Sequence, residues 1–184
     1  MDRQDKNINR CFWANPKTPL YIKYHDEEWG RPVHDDGQLL ELLILECFQA
    51  GLSWECVLNK REAFREAFDG FNSNRIIAYN EAKIGELMAN PGIIRHRAKI
   101  KAAITNTIVF MDIQKEFGSF NAYLSQFCPQ EPIRDHTSTI SPISDAISAD
   151  LRKRGMKFVG STTIHAFLQA IGKYNSHQPD CYLY

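Results

Sequence analysis

One segment constrains this chain more than any other. Gln38 to Ala50, QLLELLILECFQA, is apolar nearly all the way round a helix and yet carries a carboxylate. A helix that is apolar on every side belongs in the middle of other elements, so the rest of the chain must wrap it. Asp35 or Asp36 supplies a start signal and Gly51 a stop. Leu39, Leu42, Leu43 and Ala50 line one side, and Glu46 falls on that same side at helical spacing from each. A buried carboxylate is costly unless paired, so Glu46 meets an arginine, accepts backbone hydrogen bonds or waits for a ligand. Tyr21, Tyr24, Trp29 and Trp54 lie close by in sequence. Such aromatics form ordinary core, but a carboxylate framed by flat π-faces also holds a planar nitrogen heterocycle.

The remaining pattern predicts helices throughout. Ser53 starts a second helix reaching about Phe68. Asn72 to Met88 reads as one or two short helices broken near Asn80, and Pro91-Gly92 is a turn. A long helix follows, with Ile93, Ile100, Ile104, Ile108 and Met111 as its apolar stripe. Arg95, His96, Arg97, Lys99 and Lys101 load its first turns with cationic groups. A shorter helix at about Ser119 to Phe127 precedes a polar loop with Pro129, Pro132 and Pro142. Ser144 to Arg154 and Ser161 to Gly172 are two more helices. No strand pair or internal repeat is evident, so the fold class is all-α. With 184 residues, the chain divides into a polar tail, 1–10, and a single domain, 11–184.

Lys plus Arg and Asp plus Glu are both 22, so net charge identifies no partner and affinity for nucleic acid must come from local placement. No stretch has the roughly 18 uncharged apolar residues of a membrane span, and the opening MDRQDKNINR has no apolar signal core. A cytoplasmic address and no membrane partner are expected. Five scattered cysteines argue against a disulfide framework. Cys47 and Cys56 fall in apolar helices, where a free cysteine is a small core residue. Cys11 and His25 near one end, and His177 and Cys181 in an H-x3-C spacing near the other, make a tetrahedral zinc composition that would pin the termini together. The same pattern also reads as His25 and His177 at the surface with Cys11 incidental.

LRKRGMKFVGSTTIHAFLQAIG contains a basic helix end at Gly155 and a new helix at Ser161 just after Gly160. Glycine permits a tight turn and close backbone approach, and the free N–H groups of a new helix face any anion placed there. Arg152, Lys153, Arg154 and Lys157, against Asp150 alone, add a positive field. A plain helical hairpin with a solvated basic end has the same pattern.

Taken together, PLYIKYHDEEWG (19–30), LECFQAGLSWECVLNKRE (45–62), GIIRHRAKI (92–100), SDAISADLRKRGMKFVGSTTI (144–164) and the closing H-x3-C pair resemble the 3-methyladenine DNA glycosylase I family of the helix-hairpin-helix glycosylase superfamily. The resemblance spans about residues 11–182. It implies a two-lobed all-α fold with the lesion pocket in the cleft, the hairpin at about 144–172, and one structural zinc held by Cys11, His25, His177 and Cys181. It implies Glu46 as the catalytic carboxylate that reads the base, Tyr24 and Trp54 as stacking aromatics, and Trp13 and Tyr21 at the pocket edge. Gly155, Lys157, Gly160, Ser161 and Thr162 would grip the DNA backbone. The implied reaction is hydrolysis of the N-glycosidic bond of 3-methyladenine in duplex DNA, releasing the free base and leaving an abasic site, by a monomer with no organic cofactor.

The chain departs from the family pattern in having Cys47 after the pocket glutamate and Phe48 after that. Both should turn away from the face bearing Glu46. The superfamily's catalytic Asp has no counterpart beyond Asp180, which agrees with a family set apart by managing without it. No lysine stands at a nucleophile position beside the hairpin, which argues for water as the nucleophile and against lyase chemistry. A zinc-stabilised DNA-binding module without chemistry would explain hairpin and zinc but not Glu46. A zinc hydrolase would need an open metal position that four protein ligands close.

Overall fold

A computed structural model describes residues 8–184. The first seven residues of the polar tail lie outside the described residues. The helices are α1 (Pro19–Glu27), α2 (Asp36–Gln49), α3 (Trp54–Leu58), α4 (Arg61–Ala67), α5 (Ser73–Ile76), α6 (Glu81–Ala89), α7 (Arg97–Phe117), α8 (Phe120–Leu124), α9 (Pro142–Lys153) and α10 (Ser161–Ala170), with a 3₁₀ turn at Asp69–Phe71.

Helix α2 is the centre, as its all-round apolarity requires. It begins where the Asp35 side chain accepts from Gln38 N, and Leu39, Leu40 and every residue from Leu42 to Phe48 are buried. It packs against α3, α7, α8 and α10. Each fully buried Leu, Ile or Phe there stabilises the fold by about 1.5–3 kcal/mol relative to exposure.

Three expectations are corrected. The helix expected from Ser53 to Phe68 breaks into α3 and α4, because Asn59 closes α3 and Lys60 turns its ammonium onto the carbonyls of Pro91 and Gly92. Helix α7 starts only after His96, whose ring caps Lys99 N. Its buried face runs through Ile100, Ala103, Thr107, Phe110 and Ile113, while Ile108 is 46% exposed. The isoleucine stripe outweighed smaller residues that let α2 and α7 approach; the buried Thr107 hydroxyl is satisfied by Ala103 O at 2.7 Å. A strand pair also exists: β1 (Ile133–Arg134) runs parallel to β2 (Tyr174–Asn175), with Ile133 opposite Tyr174. Two residues per strand leave no alternation to read, and the pairing joins segments far apart in the chain.

The two ends meet. Tyr182 N donates to Asn9 O, Asn9 Nδ2 donates to Asp180, and Arg10 forks onto the Asp26 carboxylate at 2.7–2.9 Å.

Candidate active site

A cavity of about 170 Å³, open to solvent, lies where α1, α2, α3 and α10 converge, lined by Trp13, Tyr21, Tyr24, Trp29, Glu46, Gln49, Trp54, Ala166 and Gln169. A dry cavity of roughly 150 Å³ accommodates one benzene ring, so this open one is of the scale of a single base. All five residues expected to bind a base, Trp13, Tyr21, Tyr24, Glu46 and Trp54, stand in its wall. Trp13 meets Tyr21 at 5.2 Å between ring centres and Trp29 edge-on at 4.8 Å, and Tyr24 meets Trp54 at 5.4 Å.

Glu46 is 4% exposed. Its Oε2 has no hydrogen-bond partner among the described residues, and neither has the indole nitrogen of Trp54. Of the fates open to a buried carboxylate, arginine pairing is thereby absent among the described residues. Burial alone pushes its carboxyl up to about 8. Burial also raises the Tyr24 phenol, and the Glu46 charge adds to that, so the tyrosine keeps its proton. Cys47 and Phe48 turn away as expected, Cys47 toward Asn106 on α7 and Phe48 into the rings of Phe64 and Phe68.

Three wall residues went unrecognised. Gln49 follows Glu46 by one helical turn and was accessible to that spacing. Ala166 and Gln169 come from α10, and nothing local in the sequence connects them to α2. The sequence marks Lys99 only as one of the cationic groups that open the long helix. Lys99 is 7% exposed, and its ammonium donates to Phe48 O at 2.9 Å and Ala50 O at 2.6 Å, closing the C-terminal end of α2 just past Glu46.

Cys11, His25, His177 and Cys181 are all buried, and their donor atoms lie within 4.8 Å of one another. Cys11 Sγ to His177 Nδ1 and Cys181 Sγ to His25 Nε2 are both 3.5 Å, and Cys181 Sγ to His177 Nδ1 is 3.6 Å. Zn–S near 2.3 Å and Zn–N near 2.0–2.1 Å at tetrahedral angles require S to N edges of about 3.6 Å, so the donor set fits such an ion. The far ring nitrogen of His25 lies 2.7 Å from Asp26 Oδ1, the outer carboxylate that orients metal-binding imidazoles. Without a cation, burial pushes the Cys11 thiol up to about 12 and the His177 imidazole down to about 4. Gly30, at φ +76°, sits where a Cβ would come within 3.1 Å of His177 Nε2. The cluster also backs the pocket: His25 packs on Trp13 at 5.1 Å and His177 on Trp29 at 4.8 Å.

The hairpin joins α9 and α10 through Arg154 to Gly160. Gly155 takes φ +109° and Phe158 +57°. Gly160 is the N-cap of α10 and brings no side chain to its first N–H groups; a Cβ there would meet nothing within 4 Å. Its glycine is thus not demanded by internal packing. The Ser161 hydroxyl is engaged with Ser144 at 2.8 Å, leaving its backbone N–H for any anion. Arg154 leaves the basic patch, because it forks between Asp150 and Glu116 and stacks near Tyr123 and Phe117. Lys153, Arg152 and Lys157 remain around an open groove of about 740 Å³.

An aromatic pocket with an unpaired acid at its floor, beside a helical hairpin that presents backbone N–H groups, defines a base-binding enzyme of the DNA glycosylase class. The comparisons agree. The model of the methyladenine glycosylase family matches residues 13–184, and the chain belongs to that family and is a glycosylase. It is 40% identical over 183 residues to DNA-3-methyladenine glycosylase 1 of Escherichia coli K12, covering 96% of this chain and 97% of that one. A solved 3-methyladenine DNA glycosylase I superposes with a TM-score of 0.90 at 42% identity, over 95% of this chain and 98% of the other. The Staphylococcus aureus 3-methyladenine DNA glycosylase I, solved for the structural basis of its 3-methyladenine recognition, gives 0.90 at 34% identity over 96% of each.

Proposed function

We propose that this chain excises 3-methyladenine from duplex DNA by hydrolysing its N-glycosidic bond, releasing the free base and an abasic site, with no strand cleavage of its own. The observation that carries the reading is the buried, unpartnered carboxylate of Glu46 among aromatic rings. Methylation at N3 leaves the base cationic and already a good leaving group. Little acid catalysis is needed, and binding supplies the selectivity. The extruded nucleotide places its base against the rings of Tyr24 and Trp54, where stacking and cation–π attraction act together. Glu46 accepts from the exocyclic amine, and its charge is matched by the cation. When the C1′–N9 bond breaks, its electron pair goes to the base, which leaves neutral. Water adds to C1′ and gives up a proton to solvent. No lysine stands among the residues lining the pocket, in keeping with water as the nucleophile and the absence of a Schiff base.

The hairpin residues Gly155, Lys157, Gly160, Ser161 and Thr162 grip backbone phosphate without reading sequence. Cys11, His25, His177 and Cys181 would hold one structural zinc, which supplies folding energy at a closed site. The reading includes a cytoplasmic monomer; no helix among the described residues is long and apolar enough to cross a membrane. Release of base from methylated duplex is the test. A protein that binds such DNA and frees no 3-methyladenine, or that also nicks the strand, refutes the reading.

A further inference from the structure

The grip on DNA and the pocket for the base must be held at a fixed spacing, because a nucleotide extruded from a clamped strand reaches only one place. Helix α10 runs from the hairpin into the pocket wall, and one buried residue outside it adds a side-chain bridge. Asn106, on α7, is fully buried. Its Oδ1 accepts from Lys157 N at 2.8 Å and its Nδ2 donates to Lys157 O at 2.9 Å, so one amide pairs both polar groups of a hairpin peptide residue. The same Nδ2 lies 3.7 Å from the sulfur of Cys47, the residue next to Glu46. Seven residues earlier on the same face of α7, Lys99 closes the end of α2 through Phe48 O and Ala50 O, and its ammonium lies 5.9 Å from the ring of Phe158 in the hairpin. α7 thus touches the pocket helix and the hairpin at two successive levels, and Asn106 is where both contacts come from one side chain.

We propose that Asn106 is a positioning residue that fixes the register between the hairpin and the Glu46 pocket, acting on excision through geometry and touching neither base nor phosphate. This rests on the hairpin as the DNA grip. Asn106 does not line the base pocket, so its bearing on the base runs through position, and misplacement by about 1 Å far from the chemistry can cost 10²-fold in rate.

The experiment compares Asn106→Ala with wild type in three measurements: fluorescence titration of free 3-methyladenine, which reads the pocket alone; affinity for undamaged duplex, which reads the grip alone; and single-turnover excision. The expected result is both affinities within about twofold and excision lowered by about 10- to 100-fold. Excision within twofold, or free-base affinity falling in step with excision, overturns the proposal.

Asn106→Asp keeps the question answerable if the alanine variant fails to fold. As a neutral acid it accepts from Lys157 N and donates to Lys157 O as the amide does, whereas the carboxylate repels that carbonyl. The titratable group it meets is Cys47 on α2, on which the charges of Glu46 and Lys99 also act, and from the hairpin it meets the Lys157 backbone. The ratio of variant to wild-type excision should therefore rise as pH falls; a flat ratio overturns the proposal. A separate arm with Gly160→Asp judges the hairpin reading itself: unchanged duplex affinity there refutes the grip, whatever Asn106 does.

Discussion

Replacing Glu46 with glutamine keeps the size of the side chain and one acceptor and removes the capacity to ionise. In the free protein the carboxyl is 4% exposed with an unpartnered Oε2 and, raised by burial to about 8, keeps its proton near neutral pH; a cationic base bearing an exocyclic amine favours its ionised form on arrival. A hydrogen bond to a charged group is worth roughly 1.5–3 kcal/mol, so Glu46→Gln should slow excision of 3-methyladenine by about 10- to 150-fold. Excision of unmodified adenine should gain nothing, since its poorer leaving group still sets the barrier. Stability moves the other way. A carboxyl at 4.5 when unfolded and about 8 when folded binds more protons in the native state. Its contribution is therefore fully present below about pH 4.5 and is lost as pH rises to about 8, by as much as about 5 kcal/mol. The glutamine variant should lack that loss and outlast wild type in urea at pH 8 but not at pH 4.5. Equal rates and parallel stability profiles would show Glu46 to be an ordinary buried acid.

Cys181→Ser should lower zinc content and thermal stability together, and free-base affinity should fall as well because His25 and His177 back Trp13 and Trp29; metal analysis with unchanged zinc refutes the four-ligand site. Gly160→Asp should weaken duplex binding by setting a Cβ and a carboxylate where a phosphate approaches, while free-base titration and melting temperature hold, since a Cβ there meets no neighbour. Lys99→Met removes two charged hydrogen bonds at the end of α2 and should cost about 1–3 kcal/mol, or about 2–4 °C in melting temperature for each kcal/mol; an unshifted melt would refute that role.

What could be read from the sequence was whatever lies along one element or repeats a recognised motif. The all-round apolarity of α2 and the side on which Glu46 falls are properties of helical period, and both stand. The aromatic wall and the Cys and His set followed from residues matched to a family, and the structure brings each group together. The errors share one cause. Lys99 and Arg154 were counted only for their charge and Asn106 drew no reading, whereas each is satisfied by a partner distant in the chain: the end of α2, Glu116, the backbone of Lys157. No periodicity encodes such a partner. The β1–β2 pair and Gln169 failed for the same reason, since their significance lies entirely in contacts across the fold.

That distinction also explains how the protein sustains an acid it leaves unpaired. Seven apolar side chains of α2, Leu39, Leu40, Leu42, Leu43, Ile44, Leu45 and Phe48, are buried, and at about 1.5–3 kcal/mol each they outweigh one strained carboxyl several times over. Two buried α7 residues, Lys99 and Asn106, then bond or approach the C-terminal turn of the helix without bonding Glu46 itself. Had Lys99 Nζ bonded the carboxylate, the charge would be matched before any base arrived and a cationic base would gain nothing by entering. Placing the ammonium on the carbonyls of Phe48 and Ala50 fixes the helix end and leaves the acid unmatched. On the proposed function, the preference for a cationic base over a neutral one would then be the energy withheld from Glu46 by its own fold.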